Sequence, residues 1–213
     1  MPKFINEVCG LIDSYGGRDI LMEALCQGAK LVAGYQAKRN PDLSQRCATV
    51  SSKISGAQAT LRLIGDLPVI RYTLEYGLGD CEPDRIMAVL GVMSNAVDLL
   101  FYPIETICWL AEHRVLNVRN RDTWSYANSI FCVLSIYLNL VRTLRTFSLN
   151  RNQLNRQDVV SFARISLDLV HAVSILPRGY LWGGKMSTLQ IGAIGTLSAA
   201  LGIYQILARK RMT

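Results

Sequence analysis

The sequence predicts an all-α integral membrane protein, with amphipathic N-terminal helices followed by transmembrane helices. Three observations carry that prediction. Half of the 213 residues are hydrophobic and only 18% are charged, against roughly 25% charged in ordinary soluble domains. Two stretches, 123–141 and 186–208, hold no charge over 19 and 23 residues, and a helix needs about 20 mainly apolar residues to cross the hydrocarbon core. Prolines number only six, and no Asn-Gly or Asp-Gly hairpin signal interrupts the helical pattern. The mean hydropathy of +0.22 excludes a disordered chain, which needs low hydrophobicity and high net charge.

The elements follow in order. A short amphipathic helix is expected over 3–15, broken by Tyr15-Gly16-Gly17, and a second over 18–38. Asn40-Pro41-Asp42 reads as a restart, with Asn40 as N-cap, Pro41 at the first helical position and Asp42 in the first turn. That third helix is expected to reach about residue 66, where Leu67-Pro68 bends or ends it. A short helical piece follows and closes at Gly77-Leu78-Gly79. Pro83-Asp84 opens a helix over 83–116, with a kink expected at Pro103. The charge-free run 123–141 comes next, with Trp124 and Tyr126 near one end, where interfacial aromatics belong. A mixed helix is expected over 158–176, and the run 186–208 closes the series, flanked by Lys185 before and Arg209-Lys210-Arg211 after. This gives a single domain with an amphipathic region 1–80, a kinked apolar helix 83–116 and a membrane-spanning region 123–208. The segments 86–111 and 159–176 carry Asp98 and Glu105, and Arg164, Asp168 and His171; each either spans with its charges inward or lies at the interface.

The helix after Asn40 has the sharpest pattern. Leu43, Cys47, Val50, Ile54, Ala57, Leu61 and Ile64 are spaced alternately by four and three, so at 100° per residue they form one narrow stripe. Arg46 and Lys53 flank the stripe on one side and Arg62 on the other; the opposite face is small and weakly polar. An interfacial helix has this layout: an apolar face in the acyl boundary and basic stems reaching anionic headgroups. The same stripe also suits packing against another helix. The final run carries Gly192, Gly195, Thr196, Ala199 and Gly202 in small-residue rows, which let helices approach closely in lipid, within one chain or between copies.

Charge is unevenly spread. Residues 1–108 hold 10 Lys/Arg against 12 Asp/Glu, and residues 109–213 hold 13 against 4. The basic half is also the more apolar, which suits anionic headgroups and argues against a nucleic-acid binder. The six cysteines include no Cys-x-x-Cys pair, so no metal site is expected and the thiols read as small buried hydrophobes in a reducing, cytosol-facing setting. The start lacks a signal-peptide core, being interrupted by Glu7 and Asp13. There is no P-loop, dinucleotide fingerprint, nucleophile elbow or zinc-protease motif, and His113 and His171 stand far apart. Neither catalysis nor a cofactor is expected.

Several blocks together resemble the peroxisomal biogenesis factor 11 family, its gamma-like branch most of all. They are Tyr15-Gly16-Gly17-Arg18-Asp19; Tyr76-Gly77-Leu78-Gly79; Asp98 to Glu105 through Phe101-Tyr102-Pro103, then Trp109; Leu176-Pro177-Arg178-Gly179 with Leu181-Trp182-Gly183; and Gly192 to Gln205. The resemblance spans nearly the whole chain. It implies a multi-pass peroxisomal membrane protein with both termini toward the cytosol, one that elongates the membrane before fission. It also implies association with itself and its paralogues, and cooperation with fission adaptors and a dynamin-related GTPase. The family's remodelling helix would correspond to 42–66. The end, Arg209-Lys210-Arg211-Met212-Thr213, departs from the dilysine signal of some members and leaves coat binding unsupported.

Topology is left open, since the segment 142–185 carries seven Lys/Arg and two Asp, and cytosolic termini would place it in the lumen against the positive-inside tendency. Two other function classes compete with remodelling. A channel for small metabolites would line its pore with Asp98, Glu105, Arg164 and Asp168. A soluble helical enzyme would be released by alkaline carbonate.

Overall fold

The computed structural model describes residues 9–63, 66–150 and 155–210. Among them the fold is helical with no strand, and seven long helices follow one another: α1 (Tyr15–Gln36), α2 (Pro41–Arg62), α3 (Asp66–Tyr76), α4 (Arg85–Glu112), α5 (Arg121–Leu149), α6 (Arg156–Ile175) and α7 (Thr188–Lys210). Residues 9–13 are also helical.

The boundaries are set by local chemistry. The break before α1 falls at Ser14, whose hydroxyl caps the helix by accepting from the Gly17 amide. Gly16 and Gly17 are therefore the first turn of α1 and not a break. The carbonyl of Leu11 occupies the place a Gly17 side chain would need. Asn40 does cap α2, its Oδ1 accepting from the Leu43 amide at 3.1 Å. α2 stops at Arg62, and Pro68 falls in the first turn of α3, where a missing N–H costs nothing because that donor has no intrahelical partner. Asp84 caps α4 through the Met87 amide, and α4 runs on through Pro103.

Three helices are long and apolar enough to cross a membrane: Arg85–Glu112, Arg121–Leu149 and Thr188–Arg209. The segment 86–111, ambiguous by sequence, belongs in this class; α6 does not. At 1.5 Å per residue, the 29 residues of α5 exceed a hydrocarbon core of about 30 Å. Its last turns, with Arg142 and Arg145, can therefore stand outside that core.

The chain forms two compact units. The first comprises residues 1–58, 155–171 and 185–213. Here α1 and α7 run antiparallel in close contact: a Cβ on Gly34 would stand 2.5 Å from the Leu189 nitrogen, one on Gly192 2.5 Å from the Leu31 nitrogen, and one on Gly195 2.5 Å from Gln27 Cδ. α6 runs antiparallel to α7, tied by Gln205 Nε2 donating to the Ser161 hydroxyl at 2.7 Å and by the Ser198 hydroxyl donating to the Asp168 carboxylate. Buried side chains in this unit include Gln27, Ser51, Gln58 and Ser198, while Leu25, Val32, Tyr35, Leu189 and Leu197 are exposed. The interior mixes these polar groups with Leu11, Ile20, Cys26, Ala33 and Ala199, and the large apolar groups left outside suit a bundle whose surroundings are lipid.

The second unit comprises residues 59–154 and 172–184. Its frame is the hairpin of α4 and α5. Midway along it the Ser135 hydroxyl donates to Asp98 Oδ1 at 2.6 Å. At one end Arg145 grips Asp84 with two hydrogen bonds of 2.9 Å, and Arg142 pairs with Glu82 at 3.7 Å. The hydroxyl of Tyr76, from α3, donates to Glu82 and fills the space beside Gly91 where a side chain would go.

Candidate functional site: the outward face of α2

Helix α2 turns its small polar face inward. In the first unit the Ser44 hydroxyl donates to the Ala33 carbonyl at 2.7 Å, Ser51 meets Cys26 with Oγ and Sγ 3.3 Å apart, and Gln58 Nε2 donates to the backbone and carboxylate oxygens of Asp19 at 3.1 Å. The three contacts step by seven residues on each helix, so α1 and α2 lie antiparallel. Ser51 and Gln58 are only 4% and 6% exposed.

That choice of face leaves the apolar stripe largely uncovered. Val50 is 50% exposed, Leu61 47% and Leu43 38%. Cys47 and Ile54, on the edge of the stripe nearer α1, are half-buried, and Ala57 on the far edge is exposed. Ile64 lies outside the described residues. Arg46 and Lys53 are exposed along the far edge. Arg62, on the other edge, has a protein partner: its Nη1 lies 3.6 Å from Glu105 Oε1 in the second unit. Nearby in that unit Trp109 Nε1 donates to the Thr60 hydroxyl at 3.1 Å. Arg46 and Lys53 are thus open to a headgroup, whereas Arg62 would have to exchange a carboxylate for one.

The small residues of α7 face α1 within the same chain. Gly192, Gly195 and Gly202 lie against Leu31, Gln27 and Ile20, and Ala199 is fully buried beside them. Thr196 is half-buried and spends its hydroxyl on the Gly192 carbonyl. Their partner face on α1 is assembled from Gly34 and Gln27; Gly34, a helical glycine seven residues beyond Gln27, is the one sequence signal that hints at it.

Each of the four candidate pore residues has a partner within its own unit. Arg164 and Asp168 pair at 3.8 Å in the first unit, while Asp98 and Glu105 hold Ser135 and Arg62 in the second. Among the described residues no cluster of three or more His, Cys, Asp or Glu could hold a metal ion.

A family model for peroxisomal biogenesis factor 11 (PEX11) matches residues 5–161. The chain belongs to that family. Peroxisomal membrane protein 11C of Homo sapiens is 30% identical over 94% of this chain and 93% of its own length. Its namesake in Mus musculus is 30% identical over 97% and 96%. No solved structure matches. Membership in a family of peroxisome biogenesis factors, together with three helices able to cross a bilayer, fits a protein of the peroxisomal membrane with a role in peroxisome biogenesis.

Proposed function

We propose that this chain remodels and elongates the peroxisomal membrane, promoting peroxisome proliferation and fission, and that α2 is the remodelling element. Leu43, Val50, Ile54 and Leu61 enter one leaflet as a shallow wedge. Arg46 and Lys53, on the free edge, reach anionic headgroup phosphates. Area added to one leaflet alone bends the bilayer toward that side. The observation that carries this reading is the exposed stripe beside a basic edge: α2 packs by its serines and glutamine and keeps its apolar residues outward, although the reverse would bury more apolar surface. Each exposed Val or Leu left in water forgoes roughly 1.5–3 kcal/mol of burial, and insertion into acyl chains recovers it.

The test is imaging of cells expressing the tagged chain as wild type and as Val50→Glu/Ile54→Glu. Neither Val50 nor Ile54 makes the Ser44, Ser51 or Gln58 contacts with α1, so targeting should persist while tubules vanish. Tubules of normal length from the double variant would refute the wedge. A metabolite-channel reading gains nothing from the four acidic and basic residues named for it, since each already has a protein partner.

A further inference from the structure

In the first unit the helices share one axis, and that conflicts with the two membrane roles assigned to them. Cys26 meets Ser51 of α2, and the next residue of α1, Gln27, packs on Gly195 of α7. Ser51 and Gly195 therefore stand at the same level along the bundle. Gly195 lies near the middle of the 22-residue apolar stretch of α7. Lys53, exposed, is only two residues beyond Ser51, about 3 Å further along the axis. If α7 crosses the bilayer with α2 in place, the Lys53 ammonium sits near the midplane on an outward surface, where a charge is most costly. If α2 instead lies flat at the interface as a wedge, α7 lies flat with it, and its apolar length is wasted.

The two seams on α1 indicate which contact yields. At Gly34 and Gly192 the α1–α7 seam is backbone against backbone, with no side chain there to exchange. The α1–α2 seam is made by side chains of serine, cysteine and glutamine, groups that water or headgroups can satisfy equally well. Removing α2 bares Cys26 and Ala33 on α1, both tolerable in lipid, with the Asp19 carboxylate only one turn from the end of the helix.

We propose that α2 leaves α1 when the chain is in a bilayer, parting at the Ser44–Ala33, Ser51–Cys26 and Gln58–Asp19 contacts, so that α7 crosses while α2 lies in the plane of the surface. This rests on the wedge reading of α2. The described conformation is then the docked state, and the lipid surface is the competitor that opens it.

A disulfide tests this directly. Ser51 Oγ lies 3.3 Å from Cys26 Sγ, close enough that Ser51→Cys can reach the roughly 2.05 Å of a disulfide with a small adjustment. The full chain, with its other cysteines replaced by serine, is oxidised in detergent and after reconstitution into phosphatidylcholine–phosphatidylserine vesicles. Near-complete cross-linking in detergent and its loss in vesicles is the expected result. Equal cross-linking in both overturns release. A second variant, Val50→Cys in a chain without other cysteines and labelled with an environment-sensitive fluorophore, reports the wedge separately. A blue shift in vesicles with cross-linking retained means that the stripe meets lipid while docked, and only the release fails. No blue shift means that the wedge reading itself fails, and release with it.

Discussion

Along α7, helix α1 is packed backbone to backbone, with Gly192 and Gly34 set so close to the neighbouring chain that a methyl group would collide. Along α2, the same helix is met by hydroxyls, a thiol and an amide. The second unit repeats the contrast. The Tyr76 hydroxyl fills the space a Gly91 side chain would take, whereas α5 holds the start of α4 through the Arg145–Asp84 pair. Glycine seams are specific in shape and intolerant of any added atom. Side-chain seams tolerate exchange, because each lost bond can be replaced by one to solvent or headgroup. Under the proposed function, the first kind serves anchorage and the second movement.

The largest effect should come from filling a glycine seam. Gly192→Leu places a branched side chain against the Leu31 backbone, and overpacking of this kind costs about 1–3 kcal/mol. Thermal unfolding of the detergent-purified chain should show a clear drop in midpoint. An unchanged midpoint would mean that the α1–α7 contact is not a stabilising one. Gly91→Ala should act in the same way in the second unit. Tyr76→Phe in the same background removes the clashing hydroxyl and should restore part of the loss; additive losses instead would show that the two positions do not meet.

A smaller effect is expected from the charged end of the α4–α5 hairpin. The hydrogen bonds from Arg145, aided by the Met87 amide, hold the Asp84 carboxyl below its usual range. A carboxylate whose pKa is lowered by folding stabilises fully above its unfolded value of about 3.9, and that contribution is lost as pH falls through the folded value. The difference in midpoint between wild type and Arg145→Ala should therefore be constant near neutral pH and shrink in acid. A difference that holds at low pH would point to packing by the arginine stem.

The smallest effect is assigned to the α1–α2 seam. Ser51→Ala removes one weak bond to a thiol and should change stability by less than about 1 kcal/mol. If it matched Gly192→Leu, the division into fixed and exchangeable seams would collapse.

Most helix boundaries were legible in the sequence to within a few residues, because capping and charge-free length are local properties; α5 runs eight residues past its charge-free stretch, through Arg142 and Arg145 to Leu149. Asn40 caps where its neighbours said it would. Local signals misled at Gly16-Gly17, since a glycine pair reads as a break unless Ser14 is seen to cap it and Leu11 to press against it. The stripe of α2 was equally plain from its spacing, but spacing cannot say whether an apolar face is covered. That depends on α1, whose Cys26 and Asp19 receive the serine and glutamine side of α2.

By itself, then, the sequence determined that the chain is helical, apolar enough for a membrane, and marked by one amphipathic stripe and one run of small residues; each follows from periodicity and composition along a single helix. Only the tertiary structure decided that residues 155–171 and 185–213 join the N-terminal helices in one unit. It alone decided that the small residues of α7 are used against α1, that Arg62 has Glu105 for a partner, and that the stripe of α2 faces outward. These depend on contacts between residues far apart in the chain, and no local pattern encodes which of two compatible faces will be buried.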